Sequence, residues 1–263
     1  MLRPRIIPSL LIHNKGLIKS TKFKDYKYLG DPINAVKIYN EKEVDELMIT
    51  DIDATSQERE PNYEIINKLA NECRMPLSYG GGIKSVSQAL KIVSMGVEKV
   101  TVSSEALIRP NIITEISDAV GSQSISVVLD VKKNIFGKYN AYIKNGRKNT
   151  NIDPVEFAQK SQELGAGEIV LNSIDKDGTM KGYDMEIIKK VRESIELPMT
   201  VIGGAGKLQD IEELIDEHKI IGAAAGSLFV FKGKYKAVLI NYPLREVKEK
   251  MFQNLFRNNN LII

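Results

Sequence analysis

One pattern constrains this chain more than any other: short runs rich in Val, Ile and Leu alternate with amphipathic segments along its whole length. The runs fall at 5–12 (RIIPSLLI), 46–52, 76–80, 99–103, 125–131, 168–173, 198–202 and 220–225. The amphipathic segments fall at 32–44, 62–74, 85–95, 110–119, 154–164, 184–194, 208–217 and 243–256. Strands separated by helices pair in parallel through crossover connections rather than as hairpins. Eight such units in 263 residues fit the count and size of a closed α/β barrel, the (βα)8 TIM barrel. An open doubly wound sheet is the alternative, but that fold rarely needs eight such regular units. No linker or change of composition divides the chain, so residues 1–263 are expected to form one domain.

The chain also repeats itself. Glu46 in DELMITDIDAT and Glu168 in GEIVLNSIDKDGT stand 122 residues apart, and the same offset carries Pro76 to Pro198, Gly81 to Gly203 and Gly82 to Gly204. A constant offset over several motifs indicates two half-barrels. In both halves a strand stops in glycines, as MPLSYGGGIKS (75–85) and LPMTVIGGAGKL (197–208). Glycines between a strand and a helix N-terminus let backbone N–H groups approach an anion. Each loop has a facing wall one strand later: Ser103 and Ser104 for the first, Gly226 and Ser227 for the second. Two such pockets at one barrel mouth imply a small molecule carrying two phosphates, although glycines that merely form tight turns would leave the same pattern.

Carboxylates gather at the same ends of the strands: Asp51, Asp53, Asp130, Asp175 and Asp177. Such residues serve as acid/base groups or substrate anchors, or cap the next helix. Asp130 stands apart because apolar ISVVL precedes it, and partial desolvation raises a carboxyl pKa. At the opposite ends, Arg5, Glu46, Lys99 and Glu168 each precede an apolar run, where they form either surface ion pairs or an inward ring of balanced charge.

Composition narrows the partners. A net charge of +3 and few aromatics among the basic residues give nucleic-acid binding little support. The first apolar run is too short for a signal sequence or a membrane span, and a lone Cys73 fits a reducing compartment, so a cytosolic protein is expected. No metal site and no cofactor is expected. Cys73 stands outside any nucleophile motif and His13 and His218 are the only histidines, so no cysteine–histidine nucleophile site is expected.

RIIPSLLI, DELMITDIDAT, PLSYGGGIKS, VEKVTVSSEAL, GSQSISVVLDVKK, GAGEIVLNSIDKDGTMKGYD and VIGGAG together resemble the cyclase subunit of imidazole glycerol phosphate synthase over about residues 1–245. The resemblance implies a phosphate site in each half and a separate glutaminase docked on the N-terminal face, sending ammonia through the barrel. It makes Arg5, Glu46, Lys99 and Glu168 the gate to that passage. It assigns catalysis to Asp130 and to Lys19 on a lid-like first loop, and phosphate binding to Gly81, Gly82, Ser103, Ser104, Asp177, Gly178, Gly203, Gly204, Gly226 and Ser227.

The departures from that family are specific. Strand one should end in a catalytic aspartate, and Leu11 occupies that position, so one member of the acid/base pair is missing. Asn172 and Ser103 replace the usual threonine and asparagine. These features, with the tail FVFKGKYKAVLINYP, resemble cyclase-like subunits that accompany a glutaminase and an ATP-dependent sugar amidotransferase in bacterial surface-polysaccharide synthesis. That resemblance implies ammonia delivery for amidination of an N-acetyl sugar. The alternatives are the histidine-pathway cyclase itself and a barrel that only binds a bisphosphate.

Overall fold

The computed structural model describes residues 3–257. Eight strands form the barrel: β1 (Arg5–His13), β2 (Leu47–Asp51), β3 (Leu77–Gly80), β4 (Lys99–Val102), β5 (Ile125–Lys133), β6 (Glu168–Ser173), β7 (Met199–Ile202) and β8 (Gly222–Ala225). Each pairs in parallel with the next, and β8 returns to β1 through Arg5↔Gly222 to Pro8↔Ala225, closing the sheet. The fold is the expected (βα)8 barrel. Every residue of β3, β7 and β8 is buried, as a parallel sheet covered on both faces requires.

Eight helices cover the outside: α1 (Pro32–Glu41), α2 (Tyr63–Glu72), α3 (Val86–Ser94), α4 (Ile112–Val120), α5 (Pro154–Glu163), α6 (Met185–Arg192), α7 (Leu208–His218) and α8 (Arg245–Arg257). Their starts are written locally. Asp31 accepts from the Asn34 amide ahead of Pro32, Ser85 and Gln88 form a capping box, and Asp153 caps ahead of Pro154. The single-domain expectation for 1–263 bears on residues 3–257 only, since 1–2 and 258–263 lie outside the described residues.

Alternation along a strand sends every second side chain into the barrel. On β1 these are Arg5 at the floor, Ile7 in the interior and Leu11 at the mouth. Ile7 packs with Met48, Val170, Ile202, Ala224 and Val128 in a small apolar cluster, separate from the large core between barrel and helices. A floor, an apolar middle and a polar mouth thus follow from inward-facing positions.

The half-barrel repeat extends beyond the sequence motifs. Both β1 and β5 continue into an antiparallel hairpin, Gly16–Thr21 with Lys24–Gly30 in the first half and Tyr139–Ile143 with Lys148–Asn149 in the second. The glycine loops repeat in backbone conformation too, with φ of +117° and +76° at Gly81 and Gly82 and +96° and +119° at Gly203 and Gly204. No helix of the described residues is long and apolar enough to cross a membrane.

Candidate active site

A cavity of about 300 Å³ opens at the C-terminal ends of the strands. Its wall brings together Leu11, Lys19, Thr50, Asp51, Gly81, Gly82, Ser103, Ser104, Asp130, Asn172 and Asp177, with Phe23 and Tyr26 from the first hairpin and Lys84 and Lys144 at the rim. This is the face on which barrels of this fold carry their chemistry.

Asp130, in the second half of β5, is enclosed by the barrel wall yet open to the cavity. Burial pushes its carboxyl up to about 6, opposed by hydrogen bonds from Asn172 and Ser103 and reinforced by the Asp177 charge. Asn172 Nδ2 donates to Asp130 Oδ1 at 2.8 Å, and Ser103 Oγ lies 3.5 Å from Oδ2. The buried Asn172 Oδ1 has no hydrogen-bond partner among the described residues. Both departures from the family pattern therefore converge on the one acid that is kept. Leu11 lines the same cavity and offers no proton.

The other carboxylates named from the sequence do structural work. Asp51 accepts two hydrogen bonds from Arg59 Nη2 at 2.8 Å and caps the short helix Ile52–Ser56. Asp53 is buried and holds His13 Nδ1 at 2.7 Å and the Asn14 amide at 2.8 Å, tying the first hairpin to the barrel. Asp175 accepts from the Lys133 amide. Asp177 binds Lys19 Nζ at 2.8 Å and Ser20 Oγ at 2.7 Å, all three groups being buried.

The two halves differ at the mouth. In the first, Gly81, Gly82, Ser103 and Ser104 line the cavity; the Gly82 amide donates to Thr55 Oγ1, and Ser104 Oγ accepts from the Lys144 amide. In the second, Gly178, Gly203, Gly204, Gly226 and Ser227 are buried and stand outside the cavity wall. Lys19 lies across Gly226 so closely that an added Cβ would meet its Cε at 2.8 Å. Close packing also accounts for part of the glycine pattern: a Cβ on Gly81 would meet the Asp51 carbonyl at 2.2 Å, and one on Gly204 the Gly182 carbonyl at 2.1 Å.

At the barrel floor the four charges form a closed ring. Arg5 donates to Glu46 and, at 2.6 Å, to Glu168; Lys99 donates to Glu168 at 2.8 Å and to both Glu46 oxygens at 3.2 Å. Burial alone would raise the Glu168 carboxyl, yet the Arg5 and Lys99 charges, with their hydrogen bonds, hold it at about 2. Thr200, which the sequence reading passed over, donates to Glu168 at 2.5 Å and accepts from Arg5 at 3.3 Å. Its inward position in PMTVI was the available signal, because alternation from buried Ile202 places it at the floor. Among the described residues no cluster of His, Cys, Asp and Glu suited to a metal ion occurs.

A closed barrel with a cavity, an enclosed acid and glycine loops at the C-terminal ends of its strands defines a class, the (βα)8 barrels that carry their site on that face. Comparison with known proteins narrows it. The family model for the histidine biosynthesis protein matches residues 5–236. The chain is 56% identical over 254 residues to a Vibrio vulnificus protein named "Putative imidazole glycerol phosphate synthase subunit hisF3", covering 96% of this chain and 98% of that one. A Leptospira interrogans protein named as a HisF subunit with the same qualifier is 54% identical over 96% of this chain and all of its own length. A Lactococcus lactis "Imidazole glycerol phosphate synthase subunit HisF" is 40% identical over 97% of this chain and 95% of that one. The chain belongs to the histidine biosynthesis protein family, and within it to the HisF-like imidazole glycerol phosphate synthase cyclase group.

Proposed function

We propose that this chain is the ammonia-using subunit of a glutamine amidotransferase complex of the HisF type. A separate glutaminase docks on the N-terminal face, ammonia enters through the floor, and it reaches the cavity beside Asp130. The observation that carries this reading is the ring of Arg5, Glu46, Lys99 and Glu168, a costly arrangement for a structural plug, since buried ion pairs rarely stabilise more than apolar residues of the same volume. Lys99 is the flexible member, a point charge on a long stem with its side chain 20% exposed. Its withdrawal would open the floor onto the cluster around Ile7 and Val170, which tolerates neutral ammonia better than ammonium. At the mouth, a carboxyl near pKa 6 can accept a proton from an attacking amine and return it to a leaving group.

The names of the relatives, imidazole glycerol phosphate synthase subunits, favour the histidine-biosynthesis reading, with ring closure on a two-phosphate substrate as the step the sequence resemblance implies, and this is the primary reading. One observation favours a second: with Leu11 in place of an acid, Asp130 would have to serve both proton transfers. In that reading the ammonia passes onward to an ATP-dependent sugar amidotransferase for surface-polysaccharide synthesis. We place the complex in the cytoplasm, where Cys73 would remain reduced.

The deciding experiment supplies ammonia and the two-phosphate cyclase substrate to the purified chain. Turnover of about 1 per second establishes the histidine reading. Turnover that is orders of magnitude slower, and rises in Leu11→Asp, moves the assignment to amidination. The conduit is tested separately by Lys99→Met in the complex with its glutaminase: glutamine-dependent activity changes more than activity with added ammonium. Equal effects on both would remove the conduit.

A further inference from the structure

We infer that a second protein, presenting an acidic face, docks on the C-terminal mouth of the barrel through a lysine and tyrosine patch built by two hairpins. The patch deepens the second reading above, in which ammonia is handed to another enzyme, and it lies at the end of the barrel opposite the floor ring.

The first hairpin contributes Lys22, Lys24 and Lys27; the second, Phe231–Lys232 with Ala237–Val238, contributes Lys232, Lys234 and Lys236. The two are joined, because Lys27 Nζ donates to the Lys236 carbonyl at 2.7 Å and lies 5.0 Å from the centre of the Phe231 ring. All six lysines are exposed. Among the described residues none of the six pairs with a carboxylate, whereas Lys19 on the inner strand of the first hairpin is turned to Asp177, and Lys99 and Lys248 pair elsewhere. With Lys19 of the first hairpin neutralised by Asp177, Asp25 alone opposes the six exposed lysines, a local charge of +5 where the whole chain carries +3, so the remainder of the protein is net acidic. Concentrated charge of one sign steers a partner of the other sign and sets its orientation.

Aromatic groups supply what charge alone does not. Tyr28 is 67% exposed and Tyr235 88% exposed, large side chains left in water beside the lysines. Tyrosine anchors ringed by rim charges are the usual composition of a protein interface. None of the six lysines lines the cavity at the mouth, which suits a protein surface better than a small anion needing a concave site. Its position also fits: Phe23 and Tyr26 of the first hairpin line the cavity, so a protein seated on the patch would border the opening where ammonia would emerge.

The test places a photo-crosslinking amino acid at position 28 or 235 of the full chain in its native host, with position 90 on the barrel side as control, since Leu90 is exposed and distant in sequence from both hairpins. Proteins captured from positions 28 and 235 but not 90 are then purified and titrated against the full chain. The inference requires one of them to have an acidic surface and to bind more weakly as salt rises. It also requires the triple variant Lys232→Glu, Lys234→Glu, Lys236→Glu to weaken that binding at least tenfold, while glutaminase binding to the opposite face stays unchanged. No specific adduct, adducts only to RNA or lipid, or affinity indifferent to the triple variant would overturn it. Glutaminase binding is scored separately, so failure of the patch and failure of the conduit remain distinct results.

Discussion

Replacing Glu168 with glutamine keeps the shape of the floor and removes one negative charge, leaving Arg5 and Lys99 against Glu46 alone. The cost follows from proton linkage. The Glu168 carboxyl sits near 2 in the folded chain against an ordinary value of 4.5. At about 1.36 kcal/mol per pK unit its ionised form contributes about 3 kcal/mol of stability at pH 7. A depressed carboxyl contributes fully above its unfolded pKa and loses that contribution as pH falls toward its folded one. Roughly half of it remains at pH 3 and little of it near pH 2. Urea unfolding of both proteins at pH 7, 5, 4 and 3 should therefore show the Glu168→Gln penalty at about 3 kcal/mol in the first two cases and falling by about half at pH 3. The same change should lower glutamine-dependent activity, because one unpaired cation then sits in the passage. A penalty that is below about 1 kcal/mol, or that does not change from pH 7 to pH 3, would refute the account of the ring as a coupled ion-pair network.

Two further outcomes follow from the mouth. The Asp130 carboxyl is raised from 3.8 to about 6, so its charge opposes folding increasingly as pH rises through 6; Asp130→Asn should stabilise the chain by about 3 kcal/mol at pH 8 and hardly at all at pH 4, while abolishing any turnover, which urea melts and assays at both pH values would check. Gly226→Ala should displace Lys19 from Asp177 and cost about 1–2 kcal/mol, a cost that should largely vanish in a Lys19→Met background; additive effects in the double-mutant cycle would mean that Lys19 yields without losing its partner.

The barrel was readable because its signal is periodic and repeated, and the exceptions show where that signal stops. The eight strands fall where apolar runs lie between helix caps, with ends shifted by one or two residues, as where 220–225 becomes Gly222–Ala225. The hairpin Gly16–Gly30 escaped notice. Its outer strand KDYKYLG is exposed or half-buried throughout, its inner strand buries Lys19 and Ser20 beside Leu17 and Ile18 and so breaks the apolar run, and its turn is made by Lys22 and Phe23 at positive φ without a glycine or asparagine. The hairpin of Tyr139–Ile143 with Lys148–Asn149 was within reach, since Asn145-Gly146, with φ of +55° and +71°, is a strong turn signal.

The same distinction separates the legible part of the site from the rest. A ring of charges at strand starts can be anticipated, because burying Arg5, Glu46, Lys99 and Glu168 makes sense only if they meet. Which half of the mouth stays open cannot, because that depends on one long side chain. Lys19 both lines the cavity and lies along Gly226, and that placement is fixed by Asp177, 158 residues further on, with Ser20 sharing the carboxylate. The duplicated glycine loops thus repeat in backbone but not in surroundings. An inserted hairpin that a periodicity argument does not register leaves the first loop lining the cavity and covers part of the second.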